Sequence, residues 1–553
     1  MRLKGGYYLL DQPLIRYSMH KHTSDSGSHI SPELLDSINI VQSTKWTINR
    51  QILDVLEQAW MNGDVLGGLP SPEDEKLPDQ IADDVWEKMP KQEKSAHKSR
   101  LAAVHSANAR EQSKREELLR KLQLAGDLRD EQYIWMPHSI DFRGRLYPLP
   151  QDLHPQGDDV SRALLMFGDG KELGPTGARW LAIRLANNYG MDKMPLDERV
   201  KWTLDHESDI IDSATNPLDG YRFWNSAEEP WQFLAACMEW KMYLERGDSF
   251  VSHLPIHIDG SCNGLQHLSA MVRDPKGAKA TNLTSSKERS DIYSAVADKV
   301  AEIVEADAKA GKPEAVAWRG KISRKVVKRG VMTLPYGVTD LGIRDQIIAD
   351  RHTEGLPGSP MANANYLKDC LVSAIDDTIS AARVVMGFLQ GISENLAEHN
   401  IPFSWTTPIE FKVTQAYWGK VRSDIKTIYG KLSLWNEDKQ IGLNKRKQML
   451  ASAPNVIHSF DAAHLCKTVN TCHRLFEIKD FSVIHDSYGT HACNMDELAQ
   501  TLRHEFVNIY RQDWLRKIYD EVRLYAPSVP LPLPPKMGEF NIEEVLDSEF
   551  FFA

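Results

Sequence analysis

The sequence predicts a mixed, helix-rich α/β protein, and three observations carry that reading. Two short apolar runs, one holding Leu254, Ile256 and Ile258 and the other Phe481, Val483 and Ile484, have strand length. Each delivers an aspartate, Asp259 and Asp486. Residues 91–125 contain neither glycine nor proline and are rich in charge, which reads as one long helix. A chain of 553 residues is too long for one core, so several subdomains are expected.

Composition narrows the class. With 42% hydrophobic and 26% charged residues the chain is ordinary globular protein. No apolar run approaches the roughly 18–20 residues that span a bilayer, so no membrane partner is expected. The N-terminus is too interrupted for a signal peptide. Cysteines 237, 262, 370, 466, 472 and 493 form no CxxC pair, which argues against a zinc site and for a reducing compartment. The net charge of −11 counts against nucleic-acid binding globally, yet residues 318–329 carry six basic residues and no acid.

In order, residues 1–60 should hold a turn at Gly5-Gly6, a polar loop over 20–29 and a helix over 32–60, capped by Ser31. Residues 68–78, proline-rich and acidic, read as a surface linker. The helix over 91–125 should stop at Gly126. In IDFRGRLYP (140–148), Arg143 and Arg145 flank Gly144, so a backbone can pass close to a phosphodiester while two guanidiniums reach it. The tryptophans of 151–250 read as core.

After Asp259, Gly260 allows a sharp exit, Ser261 can cap, and 263–271 continue at helical spacing. A helix over 290–304 carries Tyr293. Residues 338–400 read as mostly helical. Residues 402–440 alternate in patches, with turn signals at Gly419, Gly430 and Asn436, as in a hairpin. The phenylalanines before the last alanine should dock against the body.

Two strand-borne aspartates repel at close range unless a cation sits between them. That is the carboxylate half of a two-metal site, whose ions clamp the attacking and leaving oxygens of a phosphoryl transfer. In KISRKVVKRGVMTLPYG (321–337), Arg324, Lys328 and Tyr336 fall at i, i+4 and i+12. On an ideal helix these offsets lie about 40° and 120° from the first, although Pro335 can distort the last turn. Two cations and an aromatic hydroxyl along one side suit a nucleoside triphosphate.

With those stretches in place, DGSCNGLQHLSA, RKVVKRGVMTLPYG and VIHDSYGT resemble the A, B and C motifs of the single-subunit, DNA-directed RNA polymerases of T-odd phages and mitochondria. The resemblance runs from about Gly5 through IDFRGRLYP to DSEFFFA. It implies a right-hand fold: an N-terminal remnant over 1–60, thumb over 61–131, palm over 132–287, fingers with a promoter-reading hairpin over 288–458, and palm with a C-terminal foot over 459–553. It implies template-directed transfer of ribonucleoside monophosphates to an RNA 3′-end.

Asp259, Gly260 and Asp486 would hold two Mg²⁺, and Lys328 would protonate the leaving pyrophosphate. Arg324, Gly337, Tyr293 and His485 would line the nucleotide site. Tyr336 and His458 would select ribose. Arg143, Gly144 and Arg145 would meet the RNA–DNA hybrid. A family A-like DNA polymerase, which shares the Arg…Lys…aromatic-Gly helix, and a non-catalytic nucleic-acid-binding relic are the alternatives. DGSCNGLQH and HDS, in place of the DNA enzymes' first-motif glutamate and HDE, favour the RNA enzymes.

The front departs from the phage pattern, where an N-terminal domain for upstream DNA precedes this point. A fragment, a truncated reading frame and one subunit of a split enzyme all fit, so a separately encoded N-terminal subunit joins template DNA, RNA and nucleotides among the expected partners. The expected location is the cytoplasm of an infected host, ahead of the mitochondrion.

Overall fold

The computed structural model describes residues 4–6, 11–16, 30–286, 288–334, 337–428 and 430–552. At its centre lies a three-stranded antiparallel sheet ordered Ser482–Ile484, Ser487–His491, Pro255–Asp259. The register sets Ser487 opposite Asp259 and His491 opposite Pro255. Everything in Pro255–Asp259 is buried except Asp259, so the apolar run anchors the strand and its end reaches the surface. The following helix, Asn263–Val272, is buried along its whole length. It packs against the Ser380–Glu398 and Lys445–Phe476 helices.

The Lys445–Phe476 helix is the longest buried rod, 32 residues with Pro454 inside it. At 1.5 Å per residue it spans about 48 Å. Asn444 caps it by accepting from the Lys447 amide at 3.0 Å. Its far end turns at Glu477, in the left-handed region, and leads to the Ser482–Ile484 strand.

The hydrophobic interior is continuous. One cluster of buried side chains runs from Leu14 to Phe552, and only Ala397, Ala416 and Leu443 form a separate patch among the described residues. The expectation of several cores is therefore corrected: the subdomains share one. The boundary at 60/61 falls inside the helix Arg50–Asn62 and that at 458/459 inside Lys445–Phe476.

Several local expectations also change. Residues 32–60 form two helices, Pro32–Gln42 and Arg50–Asn62, because Trp46–Ile48 leaves to pair with Leu165–Phe167. Ser31 does cap the first, accepting from the Leu34 amide at 3.2 Å. Gly5 and Gly6 lie in a strand, Lys4–Gly6, paired with Asp11–Pro13, rather than in a turn. The polar loop over 20–29 lies outside the described residues.

The long charged helix is Lys91–Asp127 and runs through Gly126. Apart from Val104, its buried residues lie between Leu118 and Ala125, so one end docks and the rest projects. The acidic linker is strapped along it: Arg115 pairs with Asp74 and donates to the Ser71 carbonyl, and Asn108 bonds the Glu75 backbone at 2.8 Å on both sides.

Residues 402–440 form two hairpins, Phe403–Thr406 with Lys412–Gln415 and Lys420–Thr427 with Gly430–Glu437. Asn436 lies within a strand opposite Val421, not in a turn. The second hairpin is almost wholly exposed. The C-terminal aromatics dock as expected. Phe550, Phe551 and Phe552 are buried, Phe552 bridges to Gly260, and the Phe551 carbonyl accepts from Gln266 Nε2 at 3.0 Å.

Candidate active site

The sheet brings Asp259 and Asp486 together although more than two hundred residues separate them. Asp259 ends its strand. Asp486 sits beside it in the two-residue turn between Ser482–Ile484 and Ser487–His491, so it is carried by a turn rather than by a strand. The preceding His485 has φ +51°, a left-handed conformation that costs a non-glycine residue on the order of 1 kcal/mol or more. The Gly260 amide donates to the Asp486 carbonyl at 3.1 Å and locks the two loops.

Gly260 itself is closely hemmed, since a Cβ there would lie 3.3 Å from Phe552 and 3.4 Å from Gln266 Oε1. Ser261 does not cap the next helix. Its hydroxyl donates to the Thr281 carbonyl at 3.2 Å, and Cys262 occupies the cap position without a side-chain bond.

Burial, then the neighbouring Asp461 and Asp259, push the Asp486 carboxyl up to about 6, with Arg145 opposing. Two carboxylates crowd one corner, one exposed and one half-buried. Hard oxygen donors in excess of nearby positive charge fit a divalent cation such as magnesium. Among the described residues no group of three or more His, Cys, Asp or Glu is gathered for a metal.

The cation that would otherwise neutralise this corner is occupied elsewhere. Arg145 Nε donates to Asp461 Oδ1 at 3.1 Å and Nη2 to Oδ2 at 2.5 Å. Asn263 Nδ2 adds a contact to the same carboxylate at 3.3 Å. Burial raises the Asp461 carboxyl, while Arg145 works to keep it charged. Arg143 is tied to Asp141 by Nε at 3.0 Å and Nη2 at 2.6 Å, and its Nη1 reaches His458 Nδ1 at 2.6 Å.

Both guanidiniums of the RGR motif are thus turned inward. Gly144, at φ +97° and placed so that a Cβ would lie 3.4 Å from the Phe411 ring, lets the chain pass between them. Burial, then Arg145 and Arg143, hold His458 far below the usual imidazole range, so it is neutral.

Next to the aspartates a cleft of about 230 Å³ is lined by Lys193, Ser261, Cys262, Arg289, Tyr293 and Arg324. Arg324 opens the helix Arg324–Thr333 and donates to Asp291 Oδ2 at 2.6 Å. Its guanidinium lies 5.1 Å from the Tyr293 ring centre. Asp291 caps the helix Ile292–Lys309, which places Tyr293 in the cleft wall.

Lys328, one turn beyond Arg324, is exposed and has no ionic or hydrogen-bond partner among the described residues. Gly337 sits at φ +76° with the Leu450 carbonyl 2.5 Å from where a Cβ would be, so only glycine fits. Tyr336 lies outside the described residues. His485 lines a larger cleft, about 1150 Å³, with Arg16, Tyr147, His154 and Gln156. Its ring meets Tyr147 edge-on at 4.9 Å, and burial lowers its pKa to about 4.

Asp141, Asn263, Asp291 and Asp461 were not among the sequence-derived site residues. Only Asp461 carried a usable signal, a lone acid in an otherwise small and apolar helical stretch three residues after His458.

The model of the family described as DNA-dependent RNA polymerase matches residues 171–528. DNA-directed RNA polymerase 2B, chloroplastic/mitochondrial, of Nicotiana tabacum is 35% identical over 570 aligned positions, covering 99% of this chain and 55% of the relative. DNA-directed RNA polymerase 2, chloroplastic/mitochondrial, of Arabidopsis thaliana is 37% identical with the same coverage. DNA-directed RNA polymerase 1, mitochondrial, of Arabidopsis thaliana is 36% identical over 531 positions, covering 94% and 53%. The chain spans about half the length of these relatives. The POL domain of Pol1 from M. smegmatis, in complex with DNA primer-template and dNTP, aligns at TM-score 0.42 and 11% identity. That match covers 87% of this chain and 67% of that one.

Proposed function

Because the chain belongs to the DNA-dependent RNA polymerase family, we propose that it extends an RNA 3′-end on a DNA template, using ribonucleoside triphosphates and releasing pyrophosphate. The observation that carries this is the juxtaposition of Asp259 and Asp486 beside the Arg324 cleft.

Two magnesium ions, when bound, would activate the 3′-hydroxyl and shield the charge developing on the leaving oxygens. Asp259, Asp486 and the Gly260 carbonyl would hold them. Arg324, steadied by Asp291, would bind phosphate oxygens with only part of its guanidinium. Lys328 is exposed and unpaired among the described residues, so it is suited to donate a proton to departing pyrophosphate. Tyr293, Gly337 and His485 would complete the nucleotide site.

His458 accepts from Arg143 through Nδ1, which puts its own hydrogen on Nε2 as a donor for a ribose hydroxyl, and Tyr336 would share that selection. Arg143 and Arg145 act on the hybrid chiefly through what they position. In subdomain terms the central sheet is the palm, the Ile292–Lys309 to Ser380–Glu398 helices the fingers and the Lys91–Asp127 helix the thumb. The exposed Lys420–Glu437 hairpin would face template DNA.

Extension of an RNA primer on a DNA template, with ribonucleotides or deoxyribonucleotides offered alone, tests the reading. Ribonucleotide-dependent extension is expected. Extension with deoxyribonucleotides alone would favour a DNA polymerase, and extension with neither a nucleic-acid-binding relic.

A further inference from the structure

Both guanidiniums of the RGR motif are committed to buried partners, Arg143 to Asp141 and His458, Arg145 to Asp461. A polyanionic strand ending at the aspartates is best held by a cation that is not already matched. The cleft of about 1150 Å³ beside His485 offers one. Its volume exceeds the roughly 300–1,000 Å³ of small-molecule pockets. No lining residue is acidic, and Gln156 Nε2 joins the walls by donating to the Leu146 and Val483 carbonyls at 3.0 and 3.1 Å.

The unmatched cation is Arg16. Leu14 and Ile15 are buried, and the segment runs beside His138–Ile140. The Arg16 amide donates to the Ile140 carbonyl at 2.6 Å, and the Ile140 amide to the Leu14 carbonyl at 2.8 Å. Neutral groups fix the side chain. Nε donates to Ser139 Oγ at 2.6 Å and Nη2 to the Pro148 carbonyl at 2.5 Å, with the guanidinium 4.9 Å from the Tyr147 ring centre. Among the described residues no carboxylate pairs with Arg16, and its Nη1 has no hydrogen-bond partner. His154 and His485, the other lining groups able to carry positive charge, are disfavoured from doing so chiefly by burial.

This cleft reaches the aspartates through Ile484 and His485, just ahead of Asp486. The nucleotide cleft is walled by Ser261 and Cys262, just after Asp259, and the two share no lining residue. With the triphosphate in one, the strand bearing the attacking 3′-hydroxyl belongs in the other.

We propose that Arg16 binds a backbone phosphate of the RNA strand behind its 3′-end. The guanidinium is held by neutral partners, so its charge remains for a phosphate oxygen. The proposed function enters only in deciding which strand occupies the cleft.

Binding of the full chain to an RNA–DNA scaffold, measured without nucleotide, tests this. A single neutral methylphosphonate is placed in turn at each of about six linkages behind the RNA 3′-end. The parent should lose about tenfold in affinity at one or two adjacent linkages. Arg16→Gln should bind the unmodified scaffold about tenfold more weakly, lower the slope of log affinity against log salt by about 1, and lose nothing further at those linkages. Arg16→Lys should keep the slope. A linkage-specific loss equal in parent and Arg16→Gln, or found only when the DNA strand is modified, would overturn the contact and leave the polymerase reading standing. A scaffold bound as expected but never extended with ribonucleotides would do the reverse, and no binding at all would overturn both.

Discussion

Arg143 Nη1 lies 2.6 Å from His458 Nδ1, and a guanidinium can only donate. The contact therefore fixes the histidine tautomer, and Asp141 holds the arginine from its other side. Arg143→Gln replaces a pure donor with a group that can donate or accept. Discrimination for ribonucleotides over deoxyribonucleotides should fall about tenfold, read in a mixed-nucleotide competition. Unchanged discrimination would remove the tautomer from the account of sugar choice.

Tyr336→Phe removes only a hydroxyl. If that hydroxyl recognises the sugar, ribose preference drops sharply while ribonucleotide incorporation stays near normal. A variant as selective as the parent in the same competition leaves His458 as the sole selector.

Asp259→Asn and Asp486→Asn should each reduce nucleotide addition far below a tenth of the parent rate with folding and DNA binding intact. A tenfold loss corresponds to about 1.4 kcal/mol. Retention of more than that by either variant shows that its carboxylate is not a metal ligand.

Lys328 and Arg324 separate a chemical role from a positioning one. Lys328 has no ionic or hydrogen-bond partner among the described residues, so Lys328→Gln should slow addition about 100-fold, within the range for a lost proton donor, and leave the thermal midpoint unchanged. Arg324→Gln also unties Asp291 and should raise the apparent KM for nucleotide. Pre-steady-state addition across a nucleotide titration distinguishes the two. A Lys328 variant that loses only affinity argues against a donor.

Asp461→Asn breaks a buried ion pair and leaves Arg145 unmatched, which should cost about 3–5 kcal/mol. Chemical denaturation measures it. A cost under about 1 kcal/mol would show that Asp461 is not the counter-ion holding Arg145.

The parts of the site that announce themselves in sequence are those whose local chemistry is unusual for their setting. Asp259 and Asp486 end apolar runs, and Arg324 and Lys328 stand one turn apart in a basic stretch. What stayed hidden depends on partners far along the chain. Trp46–Ile48 has no glycine or proline to mark it, and it is a strand because Leu165–Phe167 is there to pair with it. The inward turn of Arg145 depends on Asp461 and that of Arg143 on His458 beside the local Asp141, and both long-range partners lie more than 300 positions away. The single core is hidden for the same reason, because chain length predicts how much surface must be covered but not whether neighbouring helices share one interior.

The rod from Lys445 to Phe476 carries His458 and Asp461 on one face, three residues apart, each engaged by a different arginine. Inserting or deleting a single residue would rotate everything beyond it by about 100°. Between Pro454 and Cys472 the helix can therefore change its letters but not its length. The Lys420–Glu437 hairpin, anchored only at its base, can grow or shrink by whole residue pairs without disturbing the interior. Changes in chain length over successive generations should accumulate in that hairpin and be purged from the rod, so the exposed surface can drift while the buried pairs of Arg143 with His458 and Arg145 with Asp461 stay in register.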